Sequence, residues 1–508
     1  MPAVQLQGAV YSLAMPDPSA ASLLPVITTL LVALAARNVL VGLFTGVLTG
    51  VAMVADTYLL LIPVLVRDYV VPQVADSYNA SVLVLLAFIG GFVKLIESSG
   101  GGAAFAKAVA RWVSGPLRAQ LAAWCGGVAI FFSDLGTPLI VGPVFQPLMD
   151  RLNISRQKLA FILDSTSSPV AILIPFIGWG VFIMSVIADA FATNDIRTGE
   201  WEAFVAAIPY QLYAWLAITM VPVLTILKFD YGPMLDAERL AQRGDVAVTA
   251  KLASGATGAR PILVWLPLLV LGITLFATLA HYGFPHAQVA GSDFRAALSA
   301  AYFVAALALV ILLTGMGLKP LLETFARYIE GMTGMMPIAA TLVLAWTLGS
   351  VSEVLGTGVY VAELAREGLP GWLLPAVVFL LAAVISFATG SSWGTIIIMM
   401  PLAIPAAMAT GAAMPVAIGA VLSGGLFGDH SSPVSETTIL SSTGAGTTPL
   451  DHFRTQLPYA LTNGGLALAG FLVAGVVELP WIAALAVAVQ LLLLWISAIS
   501  RRSAGTNL

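Results

Sequence analysis

The chain has 508 residues, of which 59% are hydrophobic and only 9% are charged, and its net charge is −4. Soluble domains carry roughly 25% charged residues, so this composition excludes a soluble globular protein and predicts an all-α polytopic membrane protein. The single cysteine, Cys125, excludes an internal disulfide and a cysteine-based metal cluster.

Apolar runs fall into two groups along the chain. The first group occupies 23–36, 39–55, 81–96, 121–132, 136–147, 159–188 and 204–227. The second occupies 262–280, 296–313, 337–351, 373–387, 388–405, 415–427, 457–477 and 481–500. We therefore predict an N-terminal lead-in, a first transmembrane repeat, a cytoplasmic linker, a second transmembrane repeat and a cytoplasmic tail, at 1–22, 23–227, 228–260, 261–500 and 501–508. The run at 136–147 holds three prolines, which predicts a re-entrant or broken segment.

Three short motifs recur in the same order in the two groups. They are E-x2-G-x-G at 97–102 and 353–358, GT-x5-P-x3-P at 136–147 and 394–405, and SSPV at 167–170 and 431–434. The members of each pair are separated by 256, 258 and 264 positions, respectively. A constant order at a nearly constant offset predicts an internal repeat.

Basic residues predict how the repeats are oriented. The segment 228–260 and the pair Arg501-Arg502 carry Lys and Arg, which places them in the cytoplasm by the positive-inside rule. The acidic segment 189–202 is then outside. Counting spans from these ends, the helix interrupted at Asp164 runs outward and the helix interrupted at Asp429 runs inward. The two repeats are therefore predicted to have inverted topology, a transporter design with its site at the repeat interface near mid-membrane.

Two polar segments interrupt apolar runs and are the leading candidates for a binding site. They are DSTSSP at 164–169 and GDHSSPVSETT at 428–438. Their carboxylates, hydroxyls and proline-freed carbonyls are hard oxygen ligands that suit a hard cation. Polar groups at membrane depth usually mark an ion or substrate pathway. For the hydroxyls, the alternative is that they only satisfy carbonyls freed by the prolines.

Three further features bear on the site. Asp134 is a third candidate intramembrane carboxylate or, alternatively, a helix N-cap. The segment 389–392 is the corresponding polar tip in the second repeat. His430 is a candidate pH sensor, or else a hydrogen-bonding residue that fixes the loop. Glu97 and Glu353, at predicted helix ends, are read as interfacial, and His452 is placed in a loop without a role.

The segments 130–176, 387–401, 426–446 and 451–460 resemble the NhaC-type Na⁺/H⁺ antiporter family, and the resemblance extends over about 23–477. It implies two inverted repeats with re-entrant hairpins and broken transmembrane helices, an elevator-like mechanism and a homodimer. It also implies an ion and substrate site at Asp134, Asp164, Ser165, Thr166, Thr389, Ser391, Ser392, Asp429, Ser431, Ser432, Glu436 and Thr437. Many relatives have two acidic residues where this chain has Ser133-Asp134, and Asp where it has Glu436. The family also includes carriers of organic acids and amino acids.

The expected function is therefore exchange of Na⁺ or Li⁺ for H⁺ by alternating access, in the inner (plasma) membrane. Asp429 and its repeat partner Asp164 are expected to bind Na⁺ and to carry the coupling proton, and Asp429 is the first choice for that role. We expect no cofactor and no nucleic-acid partner. One alternative is a Na⁺- or H⁺-coupled carrier of a small organic acid or amino acid. A remote alternative is an intramembrane enzyme that uses Asp164 with Asp429, or Ser431 with His430.

Overall fold

The computed structural model describes residues 19–36, 38–55, 58–110, 113–243, 258–284 and 291–503. Within these ranges the chain forms helices joined by turns, with no β-strand, which confirms the predicted all-α class. Short 3₁₀ segments and one π-helical segment, Leu65–Val70, connect some of the α-helices. The predicted lead-in before residue 19, part of the linker at 244–257 and the tail after residue 503 lie outside the described residues.

The first half of the chain contains fourteen α-helices among the described residues. They are α1 (Leu24–Ala36), α2 (Val39–Val54), α3 (Leu61–Val64), α4 (Val71–Ala75), α5 (Ser77–Ser98), α6 (Gly101–Ala110), α7 (Pro116–Ala129), α8 (Gly136–Arg151), α9 (Arg156–Ser165), α10 (Ser168–Ala171), α11 (Gly178–Thr193), α12 (Glu200–Ala207), α13 (Leu212–Leu227) and α14 (Pro233–Gln242). Helix α14 lies inside the predicted linker.

The second half contains eleven more in the described ranges. They are α15 (Ile262–His281), α16 (Gly291–Gly315), α17 (Leu321–Gly334), α18 (Met336–Val354), α19 (Thr357–Gly368), α20 (Leu374–Thr389), α21 (Ser392–Thr410), α22 (Met414–His430), α23 (Glu436–Ala445), α24 (Pro449–Val476) and α25 (Ile482–Ser503). Helix α24 begins eight residues before the apolar run predicted at 457–477, so the polar segment in front of that run is helical.

Seven helical segments among the described residues are long and apolar enough to cross a membrane, or eight if the bent pair formed by α12 with its 3₁₀ turn and α13 counts as one span. The seven are Ser77–Ser98, Ile262–His281, Ser292–Gly315, Leu321–Val354, Ser392–Thr410, Pro449–Val476 and Ile482–Arg501. The protein is therefore a multi-pass membrane protein, as its composition predicts.

Both predicted interruptions are real helix breaks. Helix α9 ends at Ser165 and is separated from the short helix α10 by two residues, and α22 ends at His430 and is separated from α23 by five residues. Pro433 lies in the second break, and Pro169 is the second residue of α10, just after the first break; neither has the N–H that a continuing helix needs. Residues 158–172 are all buried, and 416–432 are buried except at Phe427. The two broken helices therefore lie in the core of the protein and not against lipid.

The segment 136–147, predicted to be re-entrant or broken, is not broken, because α8 is a continuous helix that contains Pro143 and Pro147. Neighbouring helices in a buried bundle can satisfy the carbonyls that a proline leaves without a partner. Helix α8 instead forms a hairpin with α7. These two helices have 14 and 16 residues, fewer than the roughly 20 that span a bilayer.

A second hairpin, formed by α20 and α21, occupies the corresponding place in the second half. Gly390, at its tip, has φ of +66° in the left-handed region, and a Cβ there would lie 2.7 Å from the Val434 carbonyl oxygen. The absence of a side chain thus lets this tip lie against the second break. In the first hairpin, Gly127 lies against Thr166 in the same way.

The packing of the broken helices crosses between the two halves. Helix α9, which precedes the first break, packs beside α23, which follows the second break. Helix α23 also packs beside α8 of the first hairpin, and α11, which follows the first break, packs beside α21 of the second hairpin. An inverted repeat produces this exchange of partners, although the inversion itself stays a prediction.

A polar cluster connects the start of α9 with two predicted cytoplasmic segments, the linker at 228–260 and the tail that begins at Arg501. The buried Lys158 ammonium on α9 lies 2.5 Å from an Asp230 carboxylate oxygen, and Arg501 on α25 donates to the Asp230 carbonyl. Glu238 on α14 accepts hydrogen bonds of 2.9 and 2.6 Å from the backbone N–H and hydroxyl of Ser155. These contacts hold the start of α9 against the linker and the C-terminal helix.

Candidate functional site

Asp429 lies at the end of α22, where its side chain is 2% exposed. Its Oδ1 accepts a 2.9 Å hydrogen bond from the Ser435 hydroxyl, and its Oδ2 accepts a 2.8 Å bond from Thr437. Ser435 is also the N-cap of α23 and accepts from the Thr438 N–H. The side chains that donate hydrogen bonds to this carboxylate are therefore all hydroxyls. Hydroxyl oxygens are also suitable ligands for a hard cation.

Asp164 lies at the end of α9 and is completely buried. It accepts a 3.1 Å hydrogen bond from Ser441 on α23 and a 2.5 Å bond from the Gln456 amide on α24. The Nε2 atoms of His452 and His430 lie 3.5 and 4.0 Å from its Oδ2. In contrast to Asp429, this carboxylate is surrounded mostly by nitrogen atoms.

Gln456 joins the two breaks directly. Its Nε2 donates to Asp164 Oδ2 and also, over 3.0 Å, to the backbone carbonyl of His430. One side-chain amide thus holds the end of the first broken helix against the end of the second. Asp164 and Asp429, which lie in separate predicted repeats, are thus brought into one buried polar region.

Asp134 lies at the tip of the first hairpin, not at a helix N-cap. Its Oδ2 accepts a 2.6 Å hydrogen bond from the Trp179 indole and lies 3.5 Å from the Ser168 hydroxyl. The Trp179 ring packs against Trp393, with ring centroids 4.3 Å apart, and Trp393 stands at the tip of the second hairpin. Trp179 therefore connects the two tips.

Glu97, read as interfacial from the sequence, lies beside the first hairpin tip. Its Oε1 accepts a 3.0 Å hydrogen bond from the Ser133 hydroxyl, next to Asp134 in the chain. Glu353, its counterpart in the second half, is exposed. The two glutamates of the repeated motif therefore have different surroundings.

Several of the hydroxyl side chains predicted to bind the ion form hydrogen bonds with the backbone of their own helices. Thr166, Thr389 and Ser431 donate to the carbonyls of Ile162, Ile385 and Phe427, respectively. Ser391 caps α21 by accepting from the Gly394 N–H. For these four side chains, the structure shows the local hydrogen bonding that was the alternative to ligand binding.

The remaining residues predicted to line the site differ in whether they are buried. Ser165, Ser392 and Ser432 are buried at the breaks and the second tip. Glu436, the first residue of α23, is exposed, so the structure does not bring its side chain into the buried region around Asp429. Its neighbour Thr437 does point into that region.

Sequence reasoning missed five side chains that make the site's direct contacts: Trp179, Ser435, Ser441, His452 and Gln456. The placement of His452 in a loop is wrong, because it lies in α24 and is completely buried. Thr448 as N-cap followed by Pro449 was a readable helix-start signal, and His452 and Gln456 then share one face at i and i+4. Ser435 lies within the candidate segment 428–438, six positions after Asp429, whereas Trp179 and Ser441 could be found only from contacts between distant segments.

In the part of the chain that the structure describes, no group of three or more His, Cys, Asp or Glu side chains is placed to hold a metal ion.

Comparison with known proteins identifies the family to which the chain is similar. The model of the Na⁺/H⁺ antiporter family matches residues 170–476. An uncharacterised protein of Haemophilus influenzae is 33% identical over 475 residues, which cover 89% of this chain and 90% of that protein. The Malate-2H(+)/Na(+)-lactate antiporter of Bacillus subtilis is 36% identical over a shorter match of 141 residues, 25% of this chain and 30% of that protein.

A solved structure supports the fold. The match to the crystal structure of the Alcanivorax borkumensis YdaH transporter covers 84% of this chain and 90% of that chain, with a TM-score of 0.59 and 17% sequence identity. At this identity the likeness shows a shared fold. The family recognised from the sequence is confirmed, and the chain belongs to the Na⁺/H⁺ antiporter family as a secondary transporter.

Proposed function

We propose that the protein exchanges Na⁺ or Li⁺ for H⁺ at mid-membrane carboxylates by alternating access. The observation that carries this proposal is that two buried carboxylates, Asp429 and Asp164, stand at the ends of two broken helices, and that Gln456 bonds both to Asp164 and to the backbone carbonyl of the residue after Asp429. Family membership supports transport. The choice of Na⁺, Li⁺ and H⁺ rests on the chemistry of the carboxylate at Asp429.

A buried carboxylate can couple the two ions because both compete for it. Burial disfavours the ionised form, whereas a bound cation favours it, so release of the cation on one side promotes uptake of a proton. Asp429 is the proposed coupling group, since its side-chain partners Ser435 and Thr437 have hydroxyl lone pairs to offer a cation. Asp164 is its partner in the first repeat.

Alternating access follows from the arrangement of the hairpins in this proposal. Each hairpin tip lies against one helix break, and Trp179 connects the two tips. A domain made of the hairpins and the broken helices would carry the site from one side to the other while the remaining helices form a scaffold. The homodimer, the inner-membrane location and the cytoplasmic C-terminus belong to the same proposal.

An organic acid or amino acid carrier is the second candidate. The local similarity to a malate and lactate antiporter favours it. A carboxylate substrate could bind at the N-terminus of α21, where the backbone dipole favours an anion. The two cations on α9, Arg156 and Lys158, are paired with Asp150 and Asp230 rather than directed at the break, so bound Na⁺ would have to balance the substrate charge.

The enzyme alternative receives no support from the geometry. The Ser431 hydroxyl donates to the Phe427 carbonyl, 2.6 Å away, rather than to His430. Asp164 and Asp429 each bond to other side chains, and neither is hydrogen-bonded to the other carboxylate.

The proposal is tested with purified protein in liposomes that contain a pH-sensitive dye. External pulses of NaCl, LiCl and KCl are applied in turn, followed by malate, lactate and amino acids with Na⁺ present. Internal alkalinisation or acidification driven by Na⁺ or Li⁺ alone, and absent with K⁺, supports cation–proton exchange. A response that requires an organic solute favours the second candidate and contradicts the first.

A further inference from the structure

The buried region around Asp164 contains several polar atoms that make no hydrogen bond. Among the described residues these are His430 Nε2, Thr438 Oγ1, Gln456 Oε1 and both ring nitrogens of His452. All four side chains are at most 2% exposed. A buried polar atom without a hydrogen bond costs roughly 1–3 kcal/mol, so such a group indicates a site that something else fills.

The orientation of the Gln456 amide follows from its neighbours. Its Nε2 faces Asp164 Oδ2 at 2.5 Å and the His430 carbonyl at 3.0 Å. A carbonyl oxygen is only an acceptor, so the amide nitrogen must be the atom that faces it, and reversing the amide would set oxygen against oxygen. The Oε1 atom is therefore held away from both, as a fixed oxygen without a donor.

Thr438 lies on the side of α23 that faces the same region. Ser435 and Ser441 stand one turn before and one turn after it, and they donate to Asp429 and Asp164, respectively. Many of the other helical threonines return their hydroxyl to a carbonyl of their own helix, as Thr443 does to Ile439 at 2.8 Å. The Thr438 hydroxyl makes no such bond.

We propose that Gln456 Oε1 and Thr438 Oγ1 are further ligands of the transported monovalent cation, Na⁺ or Li⁺. Both are neutral, buried oxygens, which are suitable ligands for a hard cation. Both residues are connected to the coupling carboxylate, because the Thr438 N–H donates to the Ser435 hydroxyl that bonds Asp429, and Gln456 donates to the carbonyl of His430, the residue after Asp429. This inference rests on the proposed cation transport and extends it to the residues that select the ion.

The test uses binding rather than transport. A ligand that binds only the folded protein raises its unfolding temperature in a concentration-dependent way. The unfolding midpoint of the full-length protein in detergent is therefore followed while NaCl or LiCl replaces choline chloride at constant ionic strength. Thr438→Val is the main variant, because it removes an oxygen that makes no bond in the structure while keeping the shape of the side chain.

Two matched variants accompany it. Thr438→Ser keeps the hydroxyl, and Thr443→Val makes the same substitution at an exposed position of the same helix. We expect Thr438→Val to raise the half-saturating cation concentration about tenfold, equivalent to the loss of one ligand. We expect Thr438→Ser to stay within about threefold of the parent, and Thr443→Val to leave the concentration unchanged.

The possible results separate the inference from the function on which it rests. If the parent protein responds to Na⁺ or Li⁺ and Thr438→Val responds at the same concentration, the inference is overturned and the space belongs to water. If the parent protein responds to neither ion, the proposed cation transport fails and the inference fails with it.

Discussion

At the scale of single residues, the two buried carboxylates obtain their hydrogen bonds in different ways. Asp429 is bonded by Ser435 and Thr437, which follow it closely in the chain. Asp164 is bonded by Ser441 and Gln456, which belong to the other half. The surroundings of Asp429 therefore form locally as the second break folds, whereas those of Asp164 require the two halves to be assembled.

Lys158 provides a residue-scale prediction of stability. Its ammonium is buried and paired with Asp230, so Asp230→Asn leaves a buried charge without its counter-ion. Breaking such a pair costs roughly 3–5 kcal/mol, and we expect the lower end because the Asp230 side chain is 16% exposed. The unfolding midpoint in detergent should fall clearly in Asp230→Asn.

The double variant Lys158→Met, Asp230→Asn is the control for that prediction. It removes both charges and keeps the unbranched stem that packs near the Phe161 and Tyr459 rings. Its midpoint should recover most of the loss. A double variant as unstable as Asp230→Asn would mean that the ion pair is not the cause.

The sequence predicts the carboxylates of the site better than it predicts their partners. Asp134, Asp164 and Asp429 stand out because ionisable residues are costly in apolar surroundings. No comparable signal marks Gln456 or Ser441, which reach Asp164 across 292 and 277 positions of the chain. Side chains of common type become recognisable only when the fold brings distant segments together.

At the scale of elements, α8 and α23 approach closely through glycine. Gly142 lies against the Gly444 backbone, and Gly444 lies against the Pro138 carbonyl. Small residues at a helix crossing in a membrane allow the two backbones to make direct van der Waals contact. This crossing supports the half-helix that carries Ser441, the partner of Asp164.

The crossing gives an element-scale prediction. Gly444→Val would place a branched side chain against backbone atoms that cannot move aside, and overpacking of this kind costs about 1–3 kcal/mol. We expect a lower unfolding midpoint and a weaker cation-dependent rise of that midpoint. Gly465→Ala on α24, where no atom lies within 4 Å of the added methyl, should leave both properties unchanged.

Element boundaries show where local sequence rules succeed and where context overrides them. The breaks at 166–167 and 431–435 fall where Pro169 and Pro433 interrupt apolar runs, so the sequence predicts them. Pro143 and Pro147 do not break α8, because this helix packs against α6, α7, α9 and α23. Whether a proline breaks a helix depends on packing that the sequence of that segment does not contain.

At the scale of the whole molecule, the two halves interlock. The hairpin of α1 and α2 packs on α18 of the second half, and the hairpin of α15 and α16 packs on α5 of the first. The broken helices exchange partners in the same manner. The order of helices and this exchange support the predicted inverted repeat.

The inversion predicts the sides of the membrane on which four positions lie. In a Cys125→Ser background, cysteines are introduced singly at Arg151, Asp195, Arg243 and Ala412. The positions 195 and 412 should react with a membrane-impermeant maleimide in intact cells, and 151 and 243 only after permeabilisation. Equal access at 151 and 412, the segments before the two broken helices, would contradict the inverted arrangement.

The central claim is that Asp429 couples cation movement to proton movement, and one measurement tests it most directly. Proton flux in response to Na⁺ and Li⁺ pulses is compared in liposomes that contain the parent protein, Asp429→Asn, or Asp195→Asn. Asp195 is exposed in a turn with φ of +54°, a conformation that asparagine also accepts, so it is a matched control. We predict that Asp429→Asn folds and inserts normally but loses cation-driven proton flux, whereas Asp195→Asn retains it. Undiminished Na⁺-driven proton flux in Asp429→Asn would contradict the account.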